Sequence, residues 1–483
     1  MIKRKKFFVL SVLLSAFCLT ACGNASTSVE SSTASTATEA SAIATAATDD
    51  SATSEVPSAD ASTAEDESVT QSMAAESGIR NVTTVNHSYG DGQKVSNAIL
   101  EYAYSIDASS LSTDSFAVKG RTITNVYTNN ECKVADAGTE GNFVILDLEI
   151  QDPLLDDSYA TDGRMKNNQV IDSATVIQSK DILTTSGDTI AASAQEVTSS
   201  AGDGGIMGNT AVQTPDLDVF EDNHYYNDPT TGEVLHYNFY APEGYETSGK
   251  TYPLVLFIPD ASAVGSDWET VLQQGNGGTV WASEDWQAEN PCFIVTMIYQ
   301  DKYINDYWEY YGSYMNGTMS LLYDLMDEYP IDCDRVYTTG QSMGCMASMV
   351  MMEKDPDLFA AAYIVAGQWD PEGVKDIKDQ NILFMVSEDD PAIQKATLDI
   401  EKWQEEGGNV ATGSVNGIAS DEEQKASVTD LLDQDANIYF LKIASGTGSM
   451  DIDGNPLPGS HRMTFRLAYD LPCAKEWLFS QTK

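Results

Sequence analysis

Six runs in the C-terminal part of the chain, at residues 254–258, 293–297, 336–339, 361–366, 382–386 and 438–441, are continuous and lack the polar alternation of a half-solvated strand. Strands of that kind must be covered on both faces. Between several of them lie helix-like stretches, at 316–328, 343–354 and 392–405, which have helix formers and few breakers. Apolar strands alternating with helices predict an α/β unit, a mostly parallel sheet with helices on both sides. The alternating stretch 235–240 reads as an antiparallel lead-in strand. In such sheets, ligands and chemistry gather at the carboxyl ends of the strands.

One of those strand ends is unusual. Val336-Tyr337-Thr338-Thr339 runs into Gly340-Gln341-Ser342-Met343-Gly344 and then into a Met- and Ala-rich helical stretch. Glycines on either side of a serine at a strand-to-helix corner make a nucleophile elbow, with Ser342 at a helix N-terminus that favours developing negative charge. The competing reading is a serine that only caps the helix. A serine nucleophile needs a base. The chain has four histidines, His87, His224, His236 and His461, and in the chain order Ser, acid, His only His461 qualifies. It is expected on a loop before the C-terminal helix. The acid belongs after the strand 382–386, where Ser387-Glu388-Asp389-Asp390-Pro391 follows. Asp390 is preferred because it directly precedes a proline, with Asp389 next and Glu388 third. The assigned roles are attack by Ser342, proton transfer by His461 and fixing of the imidazole tautomer by Asp390.

From about Val219 to the end the chain resembles secreted esterases and predicted peptidases of the α/β-hydrolase fold, related to polyhydroxybutyrate depolymerases and prolyl oligopeptidases. The resemblance rests on Tyr252-Pro253-Leu254-Val255-Leu256-Phe257, Ile331-Asp332-Cys333-Asp334-Arg335-Val336-Tyr337, Pro356-Asp357-Leu358-Phe359-Ala360-Ala361-Ala362 and Glu476-Trp477-Leu478-Phe479-Ser480-Gln481. It implies an oxyanion hole made by the backbone N–H of Met343 and one from the loop after the first central strand, here assigned to Ala261. Two positions depart from the relatives. Their His-Gly-Ala-Gly is replaced by Pro259-Asp260-Ala261-Ser262, and Cys345 stands where they usually have glycine. An Asp260 carboxylate turned inward would oppose an oxyanion, and a thiol so near the nucleophile would invite oxidation unless it packs in the helix.

Aromatic residues Tyr303, Tyr307, Trp308, Tyr310, Tyr311 and Tyr314 follow one strand end and Trp369 follows another. Trp308 and Trp369 are the candidate substrate-stacking side chains, the alternative being a packed cap. Asp451-Ile452-Asp453-Gly454-Asn455 has the spacing of half a calcium loop without its closing glutamate, and reads as a turn. No metal and no cofactor are expected.

The N-terminal part has a different character. Lys3, Arg4, Lys5 and Lys6 precede a short apolar run that closes on Leu19-Thr20-Ala21-Cys22, an export signal too short to span a membrane. The ending resembles the lipobox of bacterial lipoproteins, which implies that residues 1–22 are a lipoprotein signal and that Cys22 is acylated, becomes the mature N-terminus and anchors the protein to the membrane. Residues 23–79 are mostly Ser, Thr, Ala, Asp and Glu without Lys or Arg, a composition for a disordered tether. Residues 80–200 contain short β-like runs, an all-β sandwich pattern. There, Leu111-Ser112-Thr113-Asp114-Ser115-Phe116 and Asn125-Val126-Tyr127 resemble the immunoglobulin-like N-terminal domain of certain bacterial esterases. A Gly-rich joint at 201–215 leads into the α/β unit at 216–483. Of seven cysteines, five lie beyond the signal with no C-x-x-C pair, which argues against a zinc site and leaves one disulfide open.

With 26 basic against 74 acidic residues and a net charge of -48, nucleic acid is excluded as a partner. The expected protein is an extracytoplasmic, lipid-anchored serine hydrolase, a carboxylesterase acting on small-molecule or polysaccharide-linked acyl esters. A peptidase, and a binding lipoprotein that keeps the fold without turnover, remain as alternatives.

Overall fold

The structure, a computed structural model, describes residues 78–90, 92–150, 173–199, 212–301, 303–450, 455–459 and 461–483. The export signal with Cys22, nearly all of the 23–79 segment, most of the 201–215 joint and Asp451 to Gly454 lie outside them.

The front part is a β-sandwich. Its larger sheet contains β1 (Asn81–Tyr89), β2 (Gly92–Ile106), β4 (Ile123–Asn129), β5 (Gly141–Leu148) and β8 (Val212–Gln213) in the order β8-β1-β2-β5-β4. The smaller sheet is β3 (Phe116–Val118), β6 (Thr175–Gln178) and β7 (Val197–Thr198). Val82, Val95, Ala98, Leu100, Val144 and Leu146 of the first sheet share one buried cluster with Phe116, Val118 and Val176 of the second. This inward alternation is what makes two sheets adhere face to face.

The second part is a nine-stranded sheet. Its strands are β9 (Glu221–Asn227), β10 (Val234–Tyr240), β11 (Tyr252–Ile258), β12 (Phe293–Ile298), β13 (Ile331–Gln341), β14 (Ala361–Val365), β15 (Ile382–Ser387), β16 (Val410–Val415) and β17 (Ile438–Ile443). They lie in the order β9-β10-β12-β11-β13-β14-β15-β17-β16. β9 and β10 pair antiparallel, as does β10 with β12, and all later pairings are parallel. The continuous apolar runs are explained by β11. Leu254, Leu256 and Ile258 enter one core with side chains of α1 (Gly312–Glu328), α2 (Met343–Lys354) and α3 (Ile393–Glu405). Val255 and Phe257 enter the opposite core with α4 (Asp421–Leu432), α5 (His461–Asp470) and α6 (Pro472–Ser480). Each fully buried side chain of this kind contributes about 1.5–3 kcal/mol, so a polar residue at any of these positions is costly.

The two parts meet at the tip of the β1–β2 hairpin. His87 Nδ1 lies 2.9 Å from Asp216, whose other oxygen accepts from the Ser88 N–H at 2.6 Å. The hydrogen bond to Asp216 raises the His87 pKa against the opposing effect of burial. Ser88 Oγ donates to the Leu272 carbonyl at 3.0 Å. Gly90 is buried, and a Cβ there would lie 2.0 Å from the Arg466 Cα.

Because that neighbour is backbone, Gly90→Ala must push the hairpin off helix α5. We expect a loss of about 1–3 kcal/mol, read as a lower melting temperature. Gly78→Ala, with nothing within 4 Å of the added Cβ, is the control and should melt as wild type.

Candidate active site

β13 delivers Gln341 at its last position, and Ser342 turns the chain into α2 with φ 54° and ψ -113°. A positive φ on a non-glycine residue is strained, and it persists only where the surroundings over-determine it. They do so here. The Ser342 N–H is held by the Val365 carbonyl at 2.8 Å. A Cβ on Gly344 would lie 1.9 Å from the Ile258 carbonyl oxygen, and one on Gly340 would lie 2.5 Å from the Gly344 carbonyl. Both glycines of the pentapeptide are therefore demanded by close approach of backbones. The same approach sets the start of α2 against the end of β11, where the segment leading to Ala261 begins.

His461 opens α5 rather than lying on the expected loop. His461 Nε2 is 2.8 Å from Ser342 Oγ, and Nδ1 is 2.8 Å from Asp390 Oδ2. An ionised carboxylate only accepts, so Nδ1 carries the hydrogen and Nε2 is left to accept from the serine hydroxyl. The Asp390 side chain is 1% exposed against 38% for His461, so the acid is sealed while the imidazole edge meets solvent. The other Asp390 oxygen accepts from the Ala392 N–H at 2.8 Å.

The two alternative acids have other tasks. Glu388 faces outward to Lys442 at 2.8 Å and accepts from the Ser445 N–H. Asp389 accepts from Ser445 Oγ at 2.6 Å and from the Gly446 and Gly459 N–H groups at 2.8 Å each, tying its loop to the segment that carries His461. Partial burial pushes the Asp389 carboxyl up, and these three hydrogen bonds together outweigh it, leaving the pKa below its ordinary value.

The departure at Asp260 is given partners of its own. Its carboxylate is buried within the protein, accepting from the Ser262 N–H at 2.6 Å and from Gln341 Nε2 at 3.1 Å, with Arg462 Nη1 at 3.7 Å. Asp260 thereby caps a short 3-10 turn, Ala261–Ala263. Ala261 and Met343 each occupy the first position of their turn or helix, where the backbone N–H has no acceptor within its own element. Cys345 is fully buried, and burial holds its thiol well above the ordinary range, so it is a neutral packing group rather than a reactive one. Cys132, Cys292, Cys333, Cys345 and Cys473 are all free. Among the described residues no group of three or more His, Cys, Asp or Glu side chains is placed to hold a metal ion.

The aromatic cluster divides. Trp369 is 3% exposed and packs edge-on to Tyr310, so it offers no open face and is corrected from stacking platform to packed residue. Its backbone N–H donates to the buried Asp399 at 2.9 Å, which fixes the turn following Ala366. Tyr303 is also buried. Tyr307, Trp308, Tyr310 and Tyr311 are exposed. Trp308, held at φ 64°, donates its indole N–H to Gln368 at 3.1 Å, which links the aromatic loop to the turn beside the nucleophile. A cavity of about 330 Å³ opens beside it, lined by Ile304, Asn305, Glu309, Tyr310 and Tyr311. The partners of Asp260 and the strain at Trp308 had no local signal in the sequence. Arg462 was visible only as the neighbour of His461.

Asp389→Asn separates the two adjacent aspartates. A depressed folded pKa contributes stability above the unfolded carboxyl value and loses it as pH falls through the folded one. The variant should therefore melt below wild type at neutral pH and converge with it in acid, once the pH has fallen below the depressed carboxyl pKa, as thermal denaturation across pH will show.

Comparison with known proteins agrees with this architecture. Residues 81–191 match the family described as the esterase Ig-like N-terminal domain, and residues 302–398, which hold Ser342 and Asp390, match the prolyl oligopeptidase family. A thermostable esterase of known structure is 24% identical, with 84% of this chain and 100% of that one covered and a TM-score of 0.64. A ferulic acid esterase is 11% identical over 54% of this chain and 98% of its own, with a TM-score of 0.37. A feruloyl esterase module from Clostridium thermocellum complexed with sinapinate is 13% identical over 54% and 88%, also at 0.37. No curated protein sequence matched. The chain has an α/β-hydrolase fold with an immunoglobulin-like domain in front of it.

Proposed function

We propose that the protein is a serine carboxylesterase that works through an acyl-enzyme, held outside the cytoplasm by acylation at Cys22. The observation that carries the catalytic part is the unbroken hydrogen-bonded line Ser342–His461–Asp390, begun at a strained elbow. Ser342 Oγ attacks the acyl carbon while its proton passes to His461 Nε2, and the carbonyl π electrons move onto oxygen. The N–H groups of Met343 and Ala261 receive that oxyanion, each such donor being worth about 3 kcal/mol in the transition state. As the intermediate collapses, the ester C–O bond breaks and His461 returns the proton to the leaving alcohol. Water then repeats the sequence on the acyl-serine and releases the acid. Asp390 stays ionised and steadies the imidazolium.

The exposed Trp308 and the adjoining tyrosines favour an alcohol or acyl group with a flat face, such as a sugar ring on a carbohydrate-linked ester. The prolyl oligopeptidase match over residues 302–398 supports amide cleavage as a second reading. The signal and lipobox at 1–22 support export, with a segment 23–79 as tether.

The intact chain should be labelled by a fluorophosphonate probe at Ser342, with labelling lost in His461→Ala. On p-nitrophenyl acetate, Asp390→Asn should lower kcat about 10⁴-fold, in keeping with an imidazole held in the wrong tautomer. Asp389→Asn should stay within a few-fold of wild type. Absence of labelling in the folded wild type would favour a binding protein instead, and faster turnover of peptide amides than of esters would favour the peptidase. Trp308→Ala should raise KM two- to tenfold for acetylated oligosaccharides, about the worth of one aromatic contact, and leave p-nitrophenyl acetate unaffected. Cys22→Ala protein that stays in the membrane fraction would contradict the anchor.

A further inference from the structure

Three groups required by that reaction each have an immediate chain neighbour in one buried polar cluster. Gln341 precedes the nucleophile, Arg462 follows the base, and Asp260 precedes the oxyanion-loop donor Ala261. Gln341 is fully buried, Asp260 and Arg462 are each 5% exposed, and Gln274 is 3% exposed. Asp260 Oδ2 accepts from Gln341 Nε2 at 3.1 Å and faces Arg462 Nη1 at 3.7 Å. Arg462 Nη2 donates to the Gln274 carbonyl at 2.8 Å, and the Gln274 side-chain oxygen accepts from Ser262 Oγ at 2.9 Å. Ser262 closes the circuit by donating its N–H to Asp260 Oδ1 at 2.6 Å. The Phe465 ring touches both the His461 imidazole, at 5.0 Å between centroids, and the Arg462 guanidinium, at 5.9 Å.

We propose that Asp260 and Arg462 are a positioning pair, which locks the oxyanion loop and the histidine-bearing helix to the nucleophile strand. The inference rests on the Ser342–His461–Asp390 reading above. Two physical effects combine in the pair. Arg462, Gln341 and the Ser262 N–H together face both oxygens of the Asp260 carboxylate, so the charge beside the oxyanion loop is met by donors of its own. The fork geometry of the guanidinium reaches Asp260 and the Gln274 carbonyl at once, and so ties the start of α5 to both ends of the oxyanion loop. Lysine, a point charge with one nitrogen, cannot span both acceptors. Outside the circuit, a Cβ on Gly275 would lie 3.0 Å from the Gly90 carbonyl and 3.8 Å from Gln341 Nε2, so the front hairpin abuts the same layer.

The test uses the full chain with p-nitrophenyl acetate, a trifluoromethyl ketone as oxyanion-forming probe, and fluorophosphonate labelling. Arg462→Gln should lower kcat at least 30-fold with KM within about threefold. It should weaken trifluoromethyl ketone binding by the same factor as kcat/KM, and slow labelling in parallel. Arg462→Lys should recover only part of the loss. If removal of one charge prevents folding, the double variant Asp260→Leu, Arg462→Met removes both, since apolar replacement of a buried pair is tolerated in many folds. It should fold and keep the kcat defect. A folded Arg462→Gln or double variant with wild-type kcat and ketone affinity overturns the pair as a positioning device, and so does a variant in which only the melting temperature falls. Wild-type chain that neither labels nor turns over overturns the serine hydrolase reading and this inference with it, an outcome distinct from equal labelling of wild type and variant.

Discussion

Backbone can approach backbone within van der Waals distance only where no Cβ intervenes, and the candidate active site is built on that condition. Gly344 lets the start of α2 rest on the Ile258 carbonyl, and Gly340 lets the strand pass under the same turn. Ser342 absorbs the resulting bend with a left-handed φ, and Ala366 on the neighbouring strand end does the same at φ 49°. The strain is held because β11, β13 and β14 are buried on both faces and cannot relax individually. The rigid sheet thus keeps a hydroxyl at a helix N-terminus in a conformation that an isolated strand and helix would abandon.

The chain carries a large negative charge, yet the carboxylates near the nucleophile are each given a specific partner. In the run Glu388-Asp389-Asp390, the first faces a lysine on the surface, the second ties two loops and the third is sealed against His461. Asp260 is sealed against Arg462 and Gln341. The site is therefore not a region of bare negative potential, which would resist an oxyanion; its acids are spent on backbone N–H groups, an arginine and an imidazole. The front sandwich adds to this arrangement by contact, since its hairpin tip packs on the loop that carries Gln274 and on helix α5.

The serine, the histidine and the preferred aspartate were legible from order and punctuation. A glycine-flanked serine at a strand end, the last histidine in the chain and an aspartate before a proline are local features, each with a local physical reason. The choice between Asp389 and Asp390 was not settled by composition, because adjacent residues in a turn point in opposite directions and only the location of His461 says which direction matters. Trp369 shows the reverse error: its place after a strand suggested an open face, but Tyr310 and the buried Asp399 cover and hold it.

By itself the sequence determined the layer order of the protein, because hydrophobic period is a property of neighbouring residues: continuous runs demand two-sided burial, alternating ones a single covered face. It also determined where the chain must bend, since glycine and serine set local backbone preferences. The tertiary structure alone decided which charges meet. Asp260, Gln274, Gln341 and Arg462 are separated by 188 positions between Gln274 and Arg462 alone, and no local propensity records such a meeting. It arises when a folded sheet brings the carboxyl ends of its strands to one edge and buries these polar side chains against one another there.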